Sequence, residues 1–194
     1  MLDGRAAAVA AVRSSGRHQR ARNVWAGLGC CYMYGLGVME DKTEALRWFR
    51  LTADHGFVPG QFSVGSVYAA DDFFKALRWY RLAADQGHAS AQYNAGRSFY
   101  HGMGVAEDKV EALRWYRLAA DQGHADADQG DADAQFNIGL MYGNGHGVTK
   151  DNEEAFRWFR LAADQGDADA QFNVGRAYRE GMGVAEDEAE ALRW

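Results

Sequence analysis

The sequence predicts an all-α fold, a right-handed α-solenoid of antiparallel helix pairs. Internal repetition is the first observation: tryptophans in the frame Arg-Trp-[Phe/Tyr]-Arg are spaced by 31, 36 and 43 residues, and a fifth tryptophan follows 36 residues later. A regular period of about 20 to 50 residues indicates an array of stacked repeats. The second observation is that each repeat contains two segments with the apolar periodicity of a helix. The third is that glycines, 23 against a single proline, separate these segments, as expected for helices that end in glycine turns.

The second half of each repeat is predicted to be an amphipathic helix. In the fourth repeat its apolar stripe falls at i, i+3, i+4, i+7 and i+8: Ala155, Trp158, Phe159, Ala162 and Ala163. An aspartate followed three residues later by a glutamate predicts a capping box at the start of the helix, at Asp41, Asp108, Asp151 and Asp187. Each of these glutamates lies three residues before an arginine, a spacing that favours an ion pair. A glycine is predicted to end the helix, at Gly56, Gly87, Gly123 and Gly166.

The first half of each repeat is predicted to be a helix with a glycine inside it. In the fourth repeat its apolar stripe is Ala134, Ile138, Gly139 and Tyr142, and the glycine recurs at Gly29, Gly65, Gly96 and Gly175. Glycine inside a helix costs about 1 kcal/mol relative to alanine. Its recurrence therefore predicts close approach of a neighbouring helix. We expect the tryptophan of the second helix to be the large partner of this small residue.

Five repeats are predicted to form a single solenoid over residues 23–194, at about 23–59, 60–90, 91–130, 131–167 and 168–194. The second repeat lacks the Gly-x-Gly-Val loop, which predicts a tighter turn or a shortened helix. Between the third and fourth repeats the seven-residue turn at 120–126 is duplicated at 127–133, so a break in the regular geometry is expected there. The fifth repeat stops at Trp194, partway through its second helix, which suggests a truncated chain and predicts self-association through its uncapped apolar face.

Charge is distributed unevenly along the chain. Residues 1–22 carry five arginines and one aspartate, a net +4, so the remaining residues carry −10 against an overall −6. Such an acidic body argues against a nucleic-acid partner, because that binding needs clustered lysine and arginine. The chain has no run of 18 apolar residues, so no membrane span is predicted. The arginine- and alanine-rich tail is expected to be disordered or to resemble an organelle-targeting segment, and a cytoplasmic location is otherwise favoured.

The repeat pattern A-Q-x-x-[LIV]-G-x-x-Y-x-x-G-x-G-V-x-x-D-x-x-E-A-x-x-W-[FY]-x-x-A-A-D-Q-G resembles the Sel-1-like repeat, which is related to the tetratricopeptide repeat. The resemblance covers residues 23–194. The tetratricopeptide repeat itself fits less well, because it has about 34 residues and lacks the glycine loop. The resemblance implies a non-catalytic scaffold or adaptor that assembles protein complexes, often in signalling or protein quality control. Cysteine-rich secreted members carry a disulfide in each repeat, and this chain does not resemble them.

No residue set predicts a catalytic or metal site. An EF-hand loop starting at Asp126 would need glycine at its sixth position and glutamate at its twelfth, where the chain has Asp131 and Asn137. The six histidines are scattered, and none pairs with another at a metal-ligand spacing. Cys30 and Cys31 are adjacent, so a bridge between them would be strained, and they are expected to be small core residues. We therefore predict no catalytic residue, no metal and no cofactor.

Positions that vary between repeats, yet fall on the first helices, predict where a partner binds. The partner-binding residues expected from three such columns are Tyr93, Arg97, Tyr100, Phe136, Leu140, Phe172, Arg176 and Arg179. Aromatic and arginine side chains are enriched at interface hot spots. On an acidic chain they suggest a groove for an extended or helical peptide with an acidic element. Ordinary solvent-exposed arginines are the alternative explanation.

The sequence thus predicts a non-catalytic protein-protein interaction scaffold or adaptor that presents a concave helical surface to a peptide or protein partner. The alternative is a regulatory or structural repeat region of a larger, enzymatic protein, which an appended catalytic domain would support. A purely structural spacer is the third possibility. It should enrich no partner above a charge-matched control.

Overall fold

The computed structural model describes residues 18–121 and 130–194, and these residues form helices without a strand. The helices are α1 (His18–Tyr34), α2 (Lys42–Ala53), α3 (Val58–Tyr68), α4 (Phe73–Ala84), α5 (Ala89–His101), α6 (Lys109–Ala120), α7 (Gly130–Asn144), α8 (Asn152–Asp164), α9 (Ala168–Glu180) and α10 (Glu188–Arg193). Each predicted repeat supplies one pair of consecutive helices. The chain divides into two compact units, Met1–Ala83 and Ala84–Trp194. Within the described ranges no helix is both long and apolar enough to cross a membrane.

The first unit contains the two helix pairs of repeats one and two. Helix α2 packs against both α1 and α3, around a core of Ala45, Phe49, Ala53 and Val64. Helix α1 begins at His18, inside the segment 1–22 that was assigned to the tail. In repeat two the chain passes from Tyr68 at the end of α3 to Phe73 at the start of α4. The tighter turn predicted for this repeat is therefore confirmed.

The second unit contains the helix pairs of repeats three to five. Each helix from α5 to α10 packs against the next one along the chain, and α5 also contacts α7. The first helices of repeats three and four are therefore neighbours, as stacking of hairpins requires. Most of the duplicated turn, residues 122–129, lies outside the described residues, as does the predicted terminator Gly123.

The helix termini form as the sequence predicts. The side chains of Asp41, Asp108, Asp151 and Asp187 each accept from the backbone N–H of the glutamate three residues later, at 2.9 to 3.0 Å. These glutamates pair with the arginines that follow them, at 2.8, 3.3, 3.4 and 2.6 Å. The C-terminal glycines Gly56, Gly87 and Gly166 have φ of +73°, +88° and +95°, the left-handed region that glycine adopts readily.

The glycines inside the first helices contact an aromatic side chain, but the expected pairing with tryptophan is wrong. Gly96 lies against the ring of Tyr116, which is the residue after Trp115, and a β-carbon at Gly96 would be 2.8 Å from Tyr116 Cδ1. The same aromatic position faces Gly29, Gly65 and Gly139. Consecutive helix residues point about 100° apart, so the tryptophan and the next residue cannot both face this glycine. In repeat five the nearest neighbours of Gly175 are Ala191 O and Trp194 Cβ.

Successive repeats of the second unit are joined by polar contacts that recur. Arg117 on α6 donates to the hydroxyl of Tyr142 on α7, and Arg160 on α8 donates to that of Tyr178 on α9 at 3.4 Å. The second glycine of the loop in repeat four, Gly147, lies against the first residue of α6, with φ of +71°. These contacts fix the position of each helix pair on the one before it.

Candidate partner-binding face

The eight predicted partner-binding residues all lie on α5, α7 or α9, the first helices of repeats three to five. We call the surface that these three helices present the first-helix face. Leu140 and Arg176 are brought together in a pocket on this face. The other six predicted residues lie outside the pocket, and their environments differ.

The pocket, here called the anchor pocket, is a cavity of about 250 Å³ between α7, α8 and α9. Its apolar lining comes from α8 and from the residues facing α8, and its polar rim consists of two cations and three amides. The apolar lining includes Leu140, Ala155, Phe156, Phe159, Ala177 and Met182, and the rim is Lys150, Arg176, Asn144, Asn152 and Asn173. Small-molecule sites commonly have about 300–1,000 Å³. The anchor pocket is below that range and fits one large side chain.

The two cations of the anchor pocket lack a carboxylate partner. In the described part of the chain neither Lys150 nor Arg176 forms an ion pair, and Arg176 donates only to the amide oxygen of Asn173, at 3.1 Å. The arginines that precede the tryptophans on the second helices of repeats three and four, Arg114 and Arg157, each pair with a glutamate. The pocket rim therefore carries two positive charges that no carboxylate of the described residues pairs with.

The corresponding position one repeat earlier is filled by the protein's own side chain. Tyr100 occupies the repeat column of Gly143, and its hydroxyl lies 2.8 Å from His146 Nδ1. The Lys109 ammonium lies 3.6 Å from the centre of the Tyr100 ring and donates to the Tyr100 carbonyl at 2.7 Å. Glu107 pairs with Lys109 at 3.3 Å. In repeat four, by contrast, Gly143 provides no ring.

Aromatic and charged residues cluster around Tyr93, near the start of α5. Tyr93 packs on Tyr116, with ring centres 5.7 Å apart. Burial raises the pKa of the Tyr93 hydroxyl, and the nearby Asp133 carboxylate raises it further. Burial also raises the pKa of Asp133, and Asp167 raises it by a smaller amount. The Arg97 guanidinium acts in the opposite direction and lowers the pKa of both Tyr93 and Asp133. The Tyr116 hydroxyl is fully buried and has no hydrogen-bond partner among the described residues, and burial raises its pKa strongly.

The structure separates the remaining predicted residues into three groups. Phe136 packs on Phe159, with ring centres 5.6 Å apart, so it supports the core as Tyr93 does. Phe172 and Arg97 are exposed. Arg179 pairs with Glu180 at 3.3 Å, so its charge is already partnered. Whether these residues contact a partner stays a prediction.

Several pocket residues were missed at the sequence level. Lys150, Asn152 and Met182 come from the glycine loops and from the start of α8, away from the columns that were considered. The replacement of Tyr100 by glycine in repeat four was visible in the aligned repeats. That difference is the sequence signal of the pocket, because repeat four has no side chain at the position where repeat three has the Tyr100 ring.

The described residues contain no group of three or more histidine, cysteine or acidic side chains that could hold a metal ion. Cys30 and Cys31 are free and half-buried. The first-helix face combines aromatic rings, amides and arginines, the residue types common at binding interfaces.

Comparison with known proteins gives a consistent result. The model of the Sel1 repeat matches residues 26–57, 61–88, 89–124, 132–167 and 168–194. A Sel1 repeat protein from Oxalobacter formigenes is 33% identical, with a TM-score of 0.82 over 93% of this chain and 73% of that one. A protective antigen present in uropathogenic Escherichia coli strains, which displays an SLR fold, is 31% identical, with a TM-score of 0.83 over 90% of this chain and 37% of that one.

A weaker structural match shares the fold alone. Cysteine-rich protein B of Helicobacter pylori is 21% identical, with a TM-score of 0.53 over 68% of this chain and 92% of that one. No curated protein sequence matches the chain. Together with the helix pairs, the matches confirm the predicted fold class, an all-α solenoid of helix pairs.

Proposed function

Since this chain belongs to the Sel1 repeat family, whose members are generally protein-interaction scaffolds, we propose that it is a non-catalytic adaptor. It holds a peptide or protein partner on the first-helix face of its second unit. The partner presents acidic groups, because Arg97 and Arg176 on this face, and Lys150 at the rim of the anchor pocket, form no ion pair in the described part of the chain. The mechanism is display of a preformed surface, and affinity comes from side-chain contacts.

The observation that carries this proposal is the difference between two sets of arginines. Arg114 and Arg157, on the second helices, each have a glutamate three residues earlier and are ion-paired with it. Arg97 and Arg176, on the first helices, have no such acid and form no ion pair among the described residues. An exposed arginine that only solubilises a helix gains a few tenths of a kcal/mol from an i,i+3 pair. Within the described residues, Arg97 and Arg176 thus lack the acid partner that Arg114 and Arg157 have, and this supports a role in contacting another molecule.

A charge-reversal pull-down tests the proposal. The immobilised chain is incubated with a native extract, and captured proteins are compared for the parent, Arg97→Glu/Arg176→Glu, and the matched control Arg114→Glu/Arg157→Glu. Both variants change the net charge by the same amount, so non-specific attraction changes equally. We expect specific partners to be lost with the first pair and kept with the second. Equal capture by all three chains, or no enrichment over a charge-matched unrelated protein, would contradict the adaptor function.

A further inference from the structure

The anchor pocket is the position that an aromatic ring occupies one repeat earlier. Tyr100, in the column of Gly143, contacts Tyr116, His146 and Lys109. The residues in the corresponding columns of the next repeats, Phe159, Met182 and Asn152, all line the anchor pocket. The protein therefore contains a template for what fills this space, a tyrosine ring that lies against an aromatic floor.

The walls of the anchor pocket suit such a ring. Phe159 forms part of the floor, and Phe156 stands beside it with its ring edge-on to Tyr178, with centres 5.3 Å apart. Aromatic rings favour edge-to-face or offset contacts at centre distances of about 4.5–7 Å. A ring inserted into the pocket would lie beside Phe156 and Phe159, which both line it. The thioether of Met182 adds a polarisable contact.

The rim differs from that of the filled position in its charge. There, Glu107 neutralises Lys109, whereas the corresponding residues of the pocket are Lys150 and Asn152. Across the pocket, Arg176 stands in the column of Leu140. The lining of the pocket thus contains two cations and no acidic residue, which favours an anionic group beside the inserted ring.

We propose that the anchor pocket binds an aromatic side chain of a partner peptide, next to an acidic residue whose carboxylate pairs with Lys150 and Arg176. This rests on the adaptor function proposed above and specifies the partner at one point of its surface. Aromatic anchors in small pockets, surrounded by polar contacts, are the usual centre of a peptide interface. The amides of Asn144 and Asn152 at the pocket rim can hydrogen-bond the peptide backbone beside the anchor.

The test uses peptides as probes. A random heptapeptide phage library is selected against the full chain, and enriched sequences are made as fluorescent peptides with amidated C-termini, so that only side chains supply carboxylates. We expect an aromatic residue adjacent to aspartate or glutamate in the enriched set. Replacing either residue by alanine should weaken binding at least about tenfold, the loss typical of an interface hot spot, as measured by fluorescence anisotropy.

Two variants of the protein locate the binding in the pocket. Gly143→Tyr fills the space from within, with the side chain that repeat three already carries, and should weaken peptide binding at least about tenfold. Arg176→Glu should do the same without adding bulk. The matched controls are Ala69→Tyr, the same column in repeat two, and Arg114→Glu, and both should bind like the parent. Circular dichroism confirms that all four variants are folded.

The outcomes distinguish this inference from the adaptor function. If Gly143→Tyr binds the selected peptides as tightly as the parent, or if no aromatic-acidic sequence is enriched, the anchor pocket is not the binding site. Loss of natural partners with Arg97→Glu/Arg176→Glu but retention with Gly143→Tyr would leave the adaptor function standing and overturn the aromatic anchor.

Discussion

Gly139 on α7 lies directly against the ring of Phe159 on α8. A β-carbon on Gly139 would stand 2.7 Å from both Cδ1 and Cε1 of Phe159, closer than van der Waals contact allows. Because the ring is buried and packed against Phe136, it cannot swing away. The glycine is therefore what allows the two helices of this repeat to approach each other.

Gly139→Ala should destabilise the chain in spite of the better helix propensity of alanine. Overpacking of a closed core costs about 1–3 kcal/mol, which exceeds the gain of about 1 kcal/mol from propensity. The matched control is Gly143→Ala on the same helix, where the new β-carbon would lie 3.7 Å from Ala155 Cβ in ordinary contact. That variant should be stabilised. Urea unfolding followed by circular dichroism measures both, and effects of the same sign would refute the packing role assigned to Gly139.

The loop glycine Gly147 should tolerate alanine less well than Gly37, its counterpart in repeat one. Both have positive φ, +71° and +74°, so alanine at either position would cost about 1–2 kcal/mol, because its backbone must adopt the left-handed conformation. At Gly147 the new β-carbon would also lie 2.6 Å from the backbone carbon of Lys109, whereas at Gly37 nothing lies within 4 Å. We expect Gly147→Ala to cost about 1–3 kcal/mol more in the free energy of unfolding. Equal losses in urea unfolding would show that the joint between repeats three and four does not depend on this glycine.

Removing two tyrosine hydroxyls should have opposite effects on stability. The hydroxyl of Tyr142 accepts from Arg117 across a repeat boundary, so Tyr142→Phe should cost about 1–2 kcal/mol. The hydroxyl of Tyr116 is fully buried and finds no partner in the part of the chain that the structure describes, so Tyr116→Phe should be neutral or stabilising by about 1 kcal/mol. Phenylalanine already stands in this column at Phe159. Thermal and urea unfolding of the two variants decide the question, and a loss of stability in Tyr116→Phe would mean that its hydroxyl has a partner.

Asp133 should contribute less to stability at neutral pH than at acidic pH. Burial, and secondarily Asp167, raise the pKa of this carboxyl above its ordinary value of 3.8. The folded state then holds the proton more tightly than the unfolded state, so this group's contribution to stability falls as the pH rises from about 4 through the raised pKa. Asp133→Asn should therefore stabilise the chain more at pH 7 than at pH 3. Urea midpoints of the parent and the variant at the two pH values test this, and a larger gain at pH 3 would reverse the assigned sign.

Much of the local structure could be predicted from short-range pattern alone. Asp151, with Glu154 three residues later, predicted a helix start, and the Asp151 side chain accepts from that backbone N–H. The left-handed glycine Gly166 and the Glu154–Arg157 pair formed as expected. Such features depend on residues within one helical turn, so the order of residues in the chain suffices to determine them. The repeat period likewise determined the number of helix pairs and the fold class.

Contacts between distant residues required the tertiary structure. The sequence placed Trp158 opposite Gly139, but Phe159 lies there, because the rotation of α8 about its own axis is set by packing against α7 and α9. The anchor pocket combines Lys150, Phe156 and Arg176 from a loop and two helices, and no pattern within one repeat brings them together. By itself, then, the sequence determined the repeat, its caps and its fold. Only the tertiary structure decided which side chain faces which glycine, because that contact depends on the orientation of each helix. It also decided where the anchor pocket forms, because its walls include residues that the next repeat supplies.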